Sequence, residues 1–356
     1  MFSGLRHASA DSGQGAIALG FVMGNLGVAS KKGGTAFGKK RYTSTLMIRY
    51  FTTGLFVLIG LASGRYLNIY LRQWPTNKTV VDVVDVGFHC RQCGCTLKWW
   101  ARIPVLGWLL LGGRCPGCKV KLGWRWPLVE LGVASTWAIA AWSAFPEMIR
   151  LDRTPFSMYD AVLFALVKMT LCWLLIALAV VDTEHDWLPD RLTLGGAALG
   201  LLISASRFAV KFWFWTALPL HWSMQSGMEG HRAEVYDASL RWLVAIIVGP
   251  LLILLIRKVY HWLRGHDGVE MGEAKLMLMM AAWLGLSHTV LAFCLAMGIG
   301  AAIAAVVLIV PSLRRGTDLW HITKLRMGTL LALGSLLSAL WGRQLIDAYI
   351  DLCHFY

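Results

Sequence analysis

Residues 171–193 read L-C-W-L-L-I-A-L-A-V-V-D-T-E-H-D-W-L-P-D-R-L-T. Eleven apolar residues run without a charge to Val181, and four carboxylates follow within nine positions: Asp182, Glu184, Asp186 and Asp190. An uncharged run of this kind reads as part of a helix that crosses a bilayer. Carboxylates at the end of such a helix are expensive and call for a reason. Asp182, next to the apolar run, is the first candidate for a catalytic acid. Glu184 reads as a solvated loop charge. Asp186 and Asp190 follow at intervals of four and share a face if the helix continues. Leu188-Pro189 instead marks the start of the next segment. That places Asp190 at a helix N-terminus, where an acid suits the helix dipole.

Working outward, the same texture recurs. The chain of 356 residues is 57% hydrophobic and only 15% charged, where a soluble domain carries about a quarter charged residues. The apolar runs are continuous rather than alternating, which argues against a membrane β-barrel. The expected fold is an all-α polytopic membrane protein of about eight spans, near 49–69, 126–145, 160–181, 192–210, 240–257, 274–287, 289–310 and 328–350. Residues 1–48 form an N-terminal extension whose apolar stretch is short for a span, and it is assigned no function. Residues 49–69 make the first span, 70–125 a basic, cysteine-rich loop, and 126–356 the remaining membrane domain. Gly54, Gly60 and Gly64 give the first span a smooth face for close packing, and Asn68 is placed to bond across an interface. The basic loop is expected in the cytoplasm, although the tail before the first span is basic too; the larger cluster decides.

The net charge of +14 invites a nucleic-acid reading. The Lys and Arg residues sit in short loops beside apolar runs, where they set orientation and meet anionic lipid headgroups. Nucleic acid is therefore rejected as a partner, and membrane lipid is expected. The 18 Trp fit interfacial anchoring at helix ends.

Five of the eight cysteines lie between 90 and 118. Cys90-x-x-Cys93 and Cys115-x-x-Cys118 are two CxxC pairs separated by 21 residues, a zinc-ribbon spacing. Arg91, Lys98, Arg114, Lys119 and Lys121 are expected to stabilise the thiolates. Four Cys ligands leave no open position for a water, so the expected zinc is structural. The alternatives are two disulfides or free thiols; cytoplasmic placement disfavours disulfides. Cys95 is a spare that could replace Cys93.

A second acid cluster lies at 265–276, G-H-D-G-V-E-M-G-E-A-K-L, just before another apolar run. Glu270 and Glu273 stand one helical turn apart, and Lys275 is close enough to bias their ionisation. Gly272 permits a tight backbone approach. Two carboxyls around one water can cleave a peptide bond, one ionised as base and the other protonated as acid. Like charges at close range favour such proton sharing. Asp182 and Glu273 are the candidate pair.

With these motifs in order, the chain resembles the type IV prepilin peptidases, a family of membrane aspartyl proteases. Residues 60–75, G-L-A-S-G-R-Y-L-N-I-Y-L-R-Q-W-P, are similar to the family's opening motif. The two CxxC pairs follow, with R-I-P-V-L-G-W-L-L-L-G-G-R-C at 102–115 and W-P-L-V-E-L at 126–131. V-D-T-E-H-D-W-L-P-D-R-L-T resembles the first aspartate motif, with its leading acid on Asp182. The second motif, G-x-G-D-x-K-L in the family, reads Glu270-Met271-Gly272-Glu273-Ala274-Lys275-Leu276 here. Glu270 replaces a glycine and Glu273 the aspartate. The resemblance implies a multi-pass enzyme of the bacterial inner membrane. It would remove the basic leader of prepilins and pseudopilins at a Gly–Phe-type junction on the cytoplasmic face. It further implies N-methylation of the new terminus with S-adenosylmethionine as cofactor. Glu184, Asp186 and Asp190 would meet the basic leader. Two other readings stand beside it: a non-cleaving relative acting as methyltransferase or assembly scaffold, and a small ion transporter.

Overall fold

Each of the eight apolar runs expected as spans lies on a helix. The computed structural model describes residues 36–72, 89–90, 92–96, 98–149, 155–185, 187–217, 228–265, 270–309 and 326–354. The helices are α1 (Ala36–Arg72), α2 (Leu106–Leu110), α3 (Arg125–Ile149), α4 (Pro155–His185), α5 (Asp190–Ala217), α6 (Met228–Arg264), α7 (Met271–Leu284), α8 (Leu286–Ile309) and α9 (Met327–His354). Among the described residues there are no strands, only two isolated antiparallel bridges, His89 with Thr96 and Arg114 with Lys121. Contacts divide the chain into Met1–Ile48 and Arg49–Tyr356.

Among the described residues, six segments are long and apolar enough to cross a membrane: Leu46–Leu71, Val162–His185, Asp190–Val210, Val235–Arg264, Leu286–Val306 and Met327–Cys353. Two of the eight expected spans are not among them. Helices form at the other two positions, but α3 interrupts its apolar run with Glu130, Ser135, Thr136 and Ser143. α7 has 14 residues, about 21 Å at the α-helical rise, against a hydrocarbon core of roughly 30 Å. Gly285 ends it with a φ of +74°, a value that suits glycine. The expected connection at 211–239 also shrinks, since α5 reaches Ala217 and α6 starts at Met228.

The short α7 is the most enclosed element. Ala274, Leu276, Met277, Met279, Met280, Ala281 and Ala282 are all buried, so the helix is apolar on every side. α5 and α6 pack on it, α9 runs along α8 and against α4, and α3 lies along α4. Close approach relies on small residues. Added Cβ atoms at Gly60 and Gly64 would strike the backbone of Ala134 and Glu130 on α3, whereas Gly54 faces open space and plays no such part. Asn68 Nδ2 donates to the Trp126 carbonyl at 3.0 Å, the expected bond across an interface. On α9, a Cβ at Gly334 would meet the Ala292 carbonyl of α8. Gly334→Val is therefore expected to force α8 and α9 apart and cost about 1–3 kcal/mol, read as a lowered melting temperature in detergent.

Candidate active site

The helix does not stop at Val181. α4 continues to His185, which places Asp182 in its last turns, 7% exposed. The first turn of α9 comes to meet it. The Thr329 amide donates to Asp182 Oδ2 at 2.7 Å, and the Thr329 hydroxyl donates to the same oxygen at 2.6 Å. First-turn amides lack partners within their own helix, so Asp182 acts as an N-cap for α9 from another helix. The Arg326 guanidinium donates to the Asp182 backbone carbonyl at 2.6 Å. Gly328 lies over the carboxyl: a Cβ there would stand 3.0 Å from its carbon and both oxygens.

Glu273 is the third residue of α7 and is 8% exposed. Its Oε2 accepts from the Glu270 amide at 3.2 Å, an N-terminal capping contact. Burial pushes its carboxyl up to about 7; the neighbouring charges of Glu270 and Asp182 push the same way, against the Glu270 amide. The two candidate acids thus come from different helices and feel each other's charge. Gly272 sits where a Cβ would be 3.1 Å from Leu188 Cβ, so the residue permits the segment after α4 to dock on the start of α7.

The surrounding charges depart from expectation. Glu184 lies in the last turn of α4 and pairs with Arg125 of α3 at 2.7 Å, rather than being a solvated loop charge. Lys275 pairs with Asp190, its Nζ 2.5 Å from Oδ1. Two positions along a helix from Glu273, it faces elsewhere. Asp190 starts α5, as the Leu188-Pro189 signal indicated. Glu270 is exposed and precedes α7 rather than lying on it. Asp186 and Asp267 lie outside the described residues. Sequence reasoning missed Arg326, Gly328 and Thr329. The available signal was a Gly-Thr pair opening the last apolar run.

The cysteine loop builds two knuckles of the same design. The Gly94 amide donates to the Cys90 carbonyl at 2.9 Å, and the Lys119 amide to the Cys115 carbonyl at 2.9 Å. The Cys90 and Cys115 amides donate to the Cys95 and Val120 carbonyls at 3.0 and 2.9 Å. The residue after each second cysteine has positive φ, Gly94 at 67° and Lys119 at 57°. The sulfurs of Cys90, Cys93, Cys115 and Cys118 all lie within 4.8 Å of one another and could hold a metal ion. The Cys90–Cys118 and Cys93–Cys115 separations are 3.7 and 3.9 Å. Tetrahedral ligation at about 2.3 Å requires sulfur edges of about 3.8 Å. Cys95 Sγ lies 3.2 Å from that of Cys93 and 3.4 Å from that of Cys115. The Cys115 thiol is lowered to about 6, chiefly by the Cys118 amide, and that of Cys93 is lowered chiefly by the Cys95 amide. Knuckle amides favour these two thiolates; Arg91, one of the cations expected to help, lies outside the described residues. Chelation is expected to unfold the loop, with metal analysis giving one ion per chain before treatment and none after.

Residues 58–144 match the bacterial peptidase A24 N-terminal domain, and residues 169–305 match the type IV leader peptidase family. The chain is 28% identical over 325 residues to a prepilin leader peptidase/N-methyltransferase of Pseudomonas putida, covering 86% of this chain and 96% of that protein. It is 25% identical over 319 residues to one of Pseudomonas aeruginosa, covering 84% and 93%. It is also 28% identical over 241 residues to a type 4 prepilin-like proteins leader peptide-processing enzyme of Escherichia coli, covering 64% and 74%. No solved structure matches. The cysteine knuckles fall within the first matched domain and both candidate acids, Asp182 and Glu273, within the second, and the chain belongs to the type IV leader peptidase family.

Proposed function

We propose that the chain is a membrane aspartic-type endopeptidase that removes the basic leader of prepilins or pseudopilins, with Asp182 and Glu273 as its acid pair. The observation that carries this reading is the burial of two carboxyls, from α4 and α7, within range of each other's charge. Asp182 Oδ2 accepts from the Thr329 amide and hydroxyl, which fixes the carboxyl in place. Asp182 takes the proton of an attacking water. Glu273, held protonated by burial, donates to the carbonyl oxygen of the scissile peptide. As the tetrahedral intermediate collapses, the C–N bond breaks, the proton on Asp182 passes to the leaving amine, and a hydroxyl proton of the gem-diol returns to Glu273. The relatives' names support the prepilin substrate. Cleavage at a Gly–Phe-type junction on the cytoplasmic face of the inner membrane belongs to the same proposal.

Zinc is the metal we propose for Cys90, Cys93, Cys115 and Cys118, since four thiolates at tetrahedral spacing suit it and leave no open position. It would be structural, closing the two knuckles of residues 70–125. Methylation of the new N-terminus by S-adenosylmethionine rests on the relatives' names.

A second reading has its own observation. Glu273 already serves α7 as a cap through the Glu270 amide, a duty it would keep in a relative that no longer cleaves. Co-expression of the chain with a prepilin separates the two. The proposal expects the mature pilin to appear on a gel; an intact leader with folded, membrane-inserted enzyme sinks it.

A further inference from the structure

The cysteine loop has two features that the acid pair does not use. The first is a cavity of about 340 Å³ where the loop meets α1 and α3; it borders the thiol cluster at Cys90 and Cys115 and is lined on its other side by Arg65, Lys121, Arg125 and Trp126. Its arginines have donors to spare. Arg65 gives one nitrogen to Glu130 at 3.3 Å, and Arg125 one to Glu184 at 2.7 Å. Arg65 Nε and Arg125 Nε and Nη2 are buried with no hydrogen-bond partner among the described residues. Buried donors are rarely left unmade, and guanidinium forks match phosphate oxygens. Glu130 and Glu184 balance the two arginines, so the exposed Lys121 carries the excess charge.

The second feature is an exposed apolar face. Trp99, Leu106, Leu109, Leu110 and Trp124 are all exposed. Lys98, Arg102 and Lys121, also exposed, stand among them in the chain. Leu128 and Leu131 continue from Trp124 along one stripe of α3 and are exposed too. Apolar side chains and tryptophans interspersed with cations are the composition of a membrane-surface element.

We infer that the cysteine loop lies on the membrane surface and that the cavity between Arg65 and Arg125 takes the phosphate of an anionic phospholipid. The acyl chains then run along Leu128 and Leu131. S-adenosylmethionine suits the cavity less well, because its sulfonium would face a site whose two carboxylates are already paired.

The test is native mass spectrometry of the full-length protein with phosphatidylglycerol or phosphatidylcholine. Phosphatidylglycerol is expected to be held about tenfold more tightly, and Arg125→Gln to reduce that preference about fivefold. Lys121→Gln, at an exposed position whose bridge to Arg114 runs through the backbone, is expected to reduce it similarly. Millimolar inorganic phosphate should leave the lipid bound. Amide exchange across residues 106–111 should be slower in phosphatidylglycerol nanodiscs than in phosphatidylcholine ones. Equal retention of the two lipids overturns the proposal, as does displacement by inorganic phosphate, which would mean a free-anion site. Unchanged exchange between the two nanodiscs overturns the seating of the loop. S-adenosylmethionine bound by the wild type and lost in Arg125→Gln, with lipid retention unaltered, overturns the assignment of the cavity.

Discussion

Asp182→Asn is expected to lower leader cleavage by about 10³-fold or more, the loss typical of a missing acid–base group, while leaving the bundle folded. The asparagine side-chain oxygen can still accept from the Thr329 amide and hydroxyl, which now bond Oδ2 at 2.7 and 2.6 Å. What disappears is the negative charge that accepts the proton of water. Asp182→Ala is a poorer instrument, since it strands the two part-buried Thr329 donors, at up to about 1–3 kcal/mol each, and confuses catalysis with stability. Cleavage of a co-expressed prepilin measures the first effect, and thermal unfolding in detergent measures the second. An asparagine variant that cleaves at the wild-type rate removes Asp182 from the chemistry.

How much of this was legible in the sequence follows the range of each interaction. The knuckles were legible because their ligands lie three residues apart and their turns close on themselves through local amides. The helices were legible because uncharged runs have one stable form in lipid. The partners of the buried acids were not. Thr329 reaches Asp182 across 147 residues, and a Gly-Thr pair at a helix start has many bland explanations. Arg125 with Glu184, and Lys275 with Asp190, pair across helices whose relative rotation no periodicity revealed. The difference between eight expected spans and six among the described residues has a similar source. Met271–Leu284 has the composition of a span, but its length lets it be enclosed by four neighbouring helices instead.

Glu273→Gln is expected to change activity and stability in opposite directions, and the pH dependence identifies the cause. Burial raises the Glu273 carboxyl from 4.5 to about 7. The native state then holds a proton that the unfolded chain has released between those values. With the folded value above the unfolded one, stability falls as pH rises through this window, reaching roughly 3 kcal/mol above it. Glutamine has no proton to lose. It keeps an oxygen for the Glu270 amide, so the contact at the start of α7 survives. The variant and the wild type should therefore melt together near pH 5, and the variant should melt higher by pH 8. Cleavage moves the other way. The wild type requires protonated Glu273 and loses about tenfold in rate per unit of pH above 7, while the variant, with no acid to donate, is inactive throughout. Thermal scans at pH 5 and pH 8 decide the matter. A melting difference of the same size at both pH values would show that Glu273 does not titrate in this window, and the acid role assigned to it would fall with that result.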